Sequence, residues 1–81
     1  MKVNNKNSSG WTALQYAAYM GHHDTVATLI SMGADTGVKT PRGYNPLTLA
    51  SMCGNDPVIK LLAKVWFFYE VLKGKLYIKK I

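Results

Sequence analysis

Shifted along itself by 33 residues, the sequence meets its own pattern again. Gly10 falls on Gly43, Leu14 on Leu47, Ala17 on Ala50 and Gly21 on Gly54. Val26 falls on Ile59, Leu29 on Leu62, and Thr12-Ala13 on Asn45-Pro46. So many coincidences of glycine and apolar type in 81 residues mark a chain built by stacking one supersecondary unit on another. The length permits at most one small domain, near the lower limit for a self-sufficient core.

Each unit reads as two short helices. Thr12 followed by Gln15 fits a capping box, in which two side chains satisfy N–H groups that the first helical turn leaves orphaned. Asn45-Pro46 and Asp56-Pro57 place a capping residue before proline at the first helical position, where the missing N–H costs nothing. Gly21, Gly33 and Gly54 stand where these helices should stop. The first helices are predicted over about 13–20 and 46–53, with Leu14, Ala17, Ala18, Leu47 and Ala50 inward. The second are predicted over about 24–32 and 57–64, carrying Val26, Leu29, Ile30, Val58, Ile59, Leu61 and Leu62 at helical spacing.

These residues resemble the ankyrin repeat. "GWTALQYAAYMGHHDTVATLISMGAD" is similar to that family's G-x-T-P-L-H-x-A-A-x-x-G-H-x-x-V-x-x-L-L-x-x-G-A-D pattern, and "RGYNPLTLASMCGNDPVIKLLAK" follows it in a second copy. Details of both stretches also resemble the ankyrin arrays of ankyrin-plus-SAM-domain scaffolds, of which this chain would be a fragment without the SAM domain. The resemblance implies an all-α ankyrin-repeat solenoid of helix-turn-helix units with hairpin-like finger loops. It divides the chain into a lead-in (1–6), two repeats (7–39 and an incomplete 40–64) and a basic hydrophobic tail (65–81). Gln15 and Thr48 stand where the family has the histidine of T-P-L-H, so the hydrogen bonds that histidine makes between repeats must be replaced or lost. After Lys64 the pattern calls for another G-A-D, and Trp66-Phe67-Phe68 follows instead.

The resemblance also implies a binding face. In ankyrin repeats the side chains beside the finger glycine, and those ending the first helix, line the concave side. Carried onto this chain, they are Ser8, Ser9, Trp11, Tyr19, Met20, Lys39, Pro41, Arg42, Tyr44, Met52 and Cys53. Trp, Tyr, Met and Arg are the types enriched at interface centres. The function implied is non-catalytic: a scaffold or adaptor module that binds a protein partner, with no cofactor and no small-molecule substrate.

Residues that invite other chemistry read more simply. Adjacent helical residues point about 100° apart, so His22 and His23 cannot grip one ion from a single face. His22 fills the "G-H" turn position, where the family implies an imidazole bonded to nearby backbone. Cys53 has no base at a catalytic spacing, and no metal, phosphate-loop or nucleophile-elbow motif is present. "MKVNNKNSSG" holds no apolar signal segment and a single cysteine forms no internal disulfide, so the expected address is cytoplasmic, or nuclear, and not secreted.

Charge separates the tail from the body. Up to residue 59, Lys2, Lys6, Lys39 and Arg42 stand against Asp24, Asp35 and Asp56, whereas residues 60–81 hold six lysines against Glu70 alone. Lys60, Lys64 and Glu70 interrupt the apolar run, which is too short to span a bilayer. Three readings of "VWFFYEVLKGKLYIKKI" stand side by side. As a helical extension to about Lys73 it folds back and caps the exposed end of the stack. As an interfacial segment it sets Trp66, Phe67 and Phe68 into a membrane surface, with Lys73, Lys75, Lys79 and Lys80 on acidic headgroups. As foreign sequence at the end of a shortened array, it has no role. Membrane contact through this segment is therefore the rival to partner recognition, and nucleic-acid binding is its weaker form.

Overall fold

The computed structural model describes residues 3–72, apart from the side chains of Tyr69 and Glu70. Four helices follow one another: α1 (Ala13–Met20), α2 (His23–Ser31), α3 (Pro46–Met52) and α4 (Asp56–Leu72). α1 packs on α2 and on α3, α3 packs on α4, and α2 packs on α4. The result is two helix pairs stacked side by side, the all-α solenoid the repeat predicts.

Local chemistry sets most of the helix ends. Thr12 Oγ1 accepts from Gln15 N at 3.3 Å and Gln15 Oε1 accepts from Thr12 N at 2.7 Å, which is the capping box complete. Asn45 Oδ1 accepts from Thr48 N at 2.8 Å, with Pro46 starting α3. α2 stops because Gly33 turns to φ +90° and Ala34 N donates back to Leu29 O at 3.0 Å, a closing turn that satisfies a terminal carbonyl. Position 66, one repeat further on, is Trp rather than Gly. A side chain there resists the left-handed turn, and α4 runs on to Leu72 without turning back within the described residues.

Two start signals differ from expectation. α4 begins at Asp56, and Asn55 O takes the first helical bond from Ile59 N at 2.9 Å, so the capping place belongs to Asn55 and not to Asp56. Pro57 is then the second helical residue, still within the turn whose N–H groups have no helical acceptor. His22 occupies the cap of α2, yet its side chain makes no capping bond there. The reason lies in its repeat mate. Asn55 Nδ2 donates to Ala18 O and Tyr19 O, both at 3.1 Å, and so holds the open carbonyls at the end of the first helix of the preceding repeat. His22 has no preceding helix among the described residues.

The core is a single layer between the helix pairs: Leu14, Ala17, Ala18, Val26, Ala50, Val58 and Leu62 are buried, with Ala34 from the connecting loop. Alanine at 17, 18 and 50 lets the first helices approach closely. Leu29, Ile30, Leu47, Ile59 and Leu61 pack against this cluster but stay partly exposed. Val3 also packs on it, and Asn4 Oδ1 accepts from Asp35 N at 2.7 Å, which ties the lead-in to the loop after α2.

Gln15 carries a buried polar link from α1 to the segment that leads into the second finger. It is 0% exposed, and its Nε2 donates to Val38 O at 2.8 Å, 23 residues away. Where the family has a histidine, an amide thus makes the long-range bond, with a donor to spare once its oxygen is used in the cap.

Candidate functional site

Two finger turns and the ends of α1 and α3 enclose a groove. The first finger closes through Asn7 N to Trp11 O (2.8 Å) and Gly10 N to Asn7 O (2.9 Å). The second repeats both bonds, Thr40 N to Tyr44 O (2.9 Å) and Gly43 N to Thr40 O (2.8 Å). Side chains reinforce each turn: Asn7 Oδ1 accepts from Ser9 N and Trp11 N, and Thr40 Oγ1 accepts from Tyr44 N. The two fingers lie close enough that a Cβ on Gly10 would sit 2.8 Å from Pro41 Cγ. That approach brings Trp11 and the second finger onto the same cleft.

The cleft has a volume of about 290 Å³ and is lined by Ser9, Trp11, Tyr19, Thr40, Pro41, Arg42, Tyr44, Leu49 and Met52. Trp11 meets Tyr19 edge-on, with ring centroids 5.6 Å apart and planes at 86°, and meets Tyr16 at 5.8 Å. Such a cluster holds the indole in place, so part of the lining is rigid aromatic surface. Arg42 is exposed on the rim. Among the described residues the only ion pair is the exposed contact between His23 and Asp24, so Arg42 has no carboxylate partner there.

Seven of the residues carried over from the family pattern thus meet in one groove: Ser9, Trp11, Tyr19, Pro41, Arg42, Tyr44 and Met52. Ser8 and Lys39 are exposed on the fingers outside its lining, Met20 is exposed at the end of α1, and Cys53 is an exposed free thiol at the end of α3. Thr40 and Leu49 were not on the carried-over set. Thr40 was findable, since it lies four residues before Tyr44 as Asn7 lies four before Trp11. Leu49 falls on Tyr16 under the repeat shift, and nothing in that pairing signals a groove floor.

In the tail, Trp66, Phe67 and Phe68 lie on α4 with 50%, 42% and 57% of their surface exposed. Trp66 borders a hollow of about 200 Å³ beside Thr36, Gly37, Asn45, Leu47 and Leu62. Lys73, Lys75, Lys79 and Lys80 lie outside the described residues. Among the described residues no group of His, Cys, Asp or Glu is arranged to hold a metal ion.

The geometry defines a class: a stacked helix-pair solenoid that presents its finger turns and first helices as a recognition surface. The chain belongs to the ankyrin-repeat family, whose model for ankyrin repeats (3 copies) matches residues 1–71. It is 42% identical over 65 residues to the calmodulin-binding transcription activator CBT of Oryza sativa subsp. japonica, covering 73% of this chain and 7% of that protein. It is 42% identical over 59 residues to mouse ankyrin repeat and SAM domain-containing protein 6, covering 69% and 7%. It is 34% identical over 71 residues to human NAD-capped RNA hydrolase NUDT12, covering 80% and 15%. The chain therefore spans 15% or less of the length of these three relatives, one of which is an enzyme by name. Ankyrin repeats are a non-catalytic fold that mediates protein–protein interaction.

Proposed function

We propose that this chain is a scaffold or adaptor module that binds its protein partner in the groove between the two fingers. The observation that carries the reading is the convergence of Trp11, Tyr19, Tyr44, Met52 and Arg42 on one cleft, with Trp11 in edge contact with two tyrosines. Rigid aromatic side chains give up little conformational entropy on binding, and a rim arginine fixes orientation. A cleft of about 290 Å³ is the size for an anchoring side chain of the partner rather than a whole ligand. Two repeats offer a small face, so affinity rests on that anchor. Chemistry on a substrate has no place in this reading. The exposed free thiol of Cys53 suits a reducing compartment, and the proposed address is cytoplasmic.

A photoreactive residue at position 44 should crosslink the partner inside the groove. Trp11→Ala, Tyr19→Ala and Arg42→Ala, each checked for retained helical circular dichroism, should weaken the recovered complex by about 1–2 kcal/mol or more apiece. Unchanged affinity in all three variants would move the interface elsewhere.

A further inference from the structure

We propose that the outer face of α4 docks the protein on an acidic lipid bilayer surface, independently of the groove. Positions 60, 64, 67, 68 and 71 recur at the spacing that places side chains on one side of a helix. They are Lys60, Lys64, Phe67, Phe68 and Val71, and they lie opposite Val58 and Leu62, which are buried in the core. Both lysines are exposed. The two phenylalanine rings meet edge-on, centroids 6.1 Å apart, and Leu72 beyond them is 85% exposed. The face therefore reads, along the helix, as two cations followed by an aromatic pair and an aliphatic end.

The two helix pairs leave this face uncovered: Lys60, Lys64, Phe67 and Phe68 are all exposed in the stack. Large rings on such a face have a cost in water that packing within the solenoid does not remove. Charge selects the occupant. Asp56 lies one turn before Lys60 and makes no ion pair with it, and from residue 60 onward the sequence holds six lysines against one acidic residue. A second copy would bring the same cations into apposition, whereas anionic headgroups complement them. Neither signal suffices alone, because short apolar contacts and small basic clusters each give marginal membrane affinity, while the two together add. The described helices include none long and apolar enough to cross a bilayer, so the mode is docking at the surface.

The test uses the full 81-residue chain carrying Trp11→Phe, Trp66→Phe and Val71→Trp, which sets the one tryptophan reporter on this face. It should co-sediment with vesicles of phosphatidylcholine plus phosphatidylserine and not with phosphatidylcholine alone. The reporter's emission should shift to the blue, and brominated acyl chains should quench it. F67S/F68S should abolish sedimentation and quenching at unchanged helical circular dichroism. K60Q/K64Q should weaken binding about fivefold per lysine removed and flatten its salt dependence. Four results overturn the proposal: no binding to the mixed vesicles, equal binding to neutral ones, wild-type binding by F67S/F68S, or absence of quenching by brominated lipid. Self-association that F67S/F68S abolishes would assign the face to a second copy instead. Binding of a single-stranded oligonucleotide that displaces the vesicles and needs only the lysines would assign it to nucleic acid. Since Trp11 and the groove take no part, partner binding retained by F67S/F68S separates the two surfaces.

Discussion

The two repeats carry matching residues at matching places, yet they expose opposite sides. In the first, Leu14, Gln15, Ala18 and Val26 are buried while Ala13, Tyr16 and Thr25 face solvent. In the second, the partners of the buried set, Leu47, Thr48, Ser51 and Ile59, are partly or fully exposed. The partners of the exposed set, Pro46, Leu49 and Val58, are buried. Even the glycines follow this rule: a Cβ on Gly10 or Gly21 would strike Pro41 or Asn55, whereas one on Gly43 or Gly54 would meet nothing within 4 Å. Burial in this fold therefore follows a position's place in the stack, and residue type has followed it: buried Val58 and Ala18 answer to exposed Thr25 and Ser51. Each unit has one flank packed against its neighbour and one open among the described residues, so the seam adds its stability to the packing of α1 on α2 and of α3 on α4.

Paired substitutions can break or sharpen this contrast, read as urea midpoints with the slope unchanged. The largest difference should come from leucine truncation. Leu14→Ala removes a side chain with 1% exposure and should cost about 2–5 kcal/mol, enough to unfold so small a chain. Leu47→Ala should cost less than half as much, and equal losses would mean that the open flank is covered in solution. Next comes the polar seam. Gln15→Ala strands Val38 O and Thr12 N and should cost about 1–3 kcal/mol, while Thr48→Ala should stay within about 0.5 kcal/mol.

Smaller effects should follow from the turn after each first helix. Asn55→Ala loses two bonds to α1 carbonyls and should cost about 1 kcal/mol, whereas His22→Ala should be close to neutral. A loss at His22 equal to that at Asn55 would reveal a partner for the imidazole. The smallest shift should come from Trp66→Gly, which restores the stop residue found at Gly33. It should change stability by about 1 kcal/mol or less while removing hydrogen-exchange protection from residues 67–72, where α4 now continues. Protection that persists would show that the extension is held by contacts and not by the missing glycine.

Much of this was legible before any coordinates. The 33-residue shift, the Thr12–Gln15 box, the Asn45-Pro46 start and the Gly33 stop all act within a few residues, and each appears in the fold as the local chemistry requires. What escaped depends on neighbours. Whether Val58 or Ile59 faces the core, why His22 stands idle while Asn55 works, and why Leu49 floors the groove are all decided by which flank has a second unit against it. A repeat shift treats equivalent positions alike and cannot show that difference. The groove was legible to the extent that its residues flank the finger glycines. The two that escaped, Thr40 and Leu49, reach it through the turn bond and the seam.

The side chain of Asn55 also has a mechanical meaning. One amide grips two carbonyls at the far end of α1, while Gln15 reaches back from the start of that helix to Val38. The joint is thus pinned at both ends of one helix, with the alanine contact between. Tension applied across such a joint loads both pins at once instead of peeling them in turn. The two units should part in one abrupt rupture, and the molecule should behave under force as a rivet rather than as a zip.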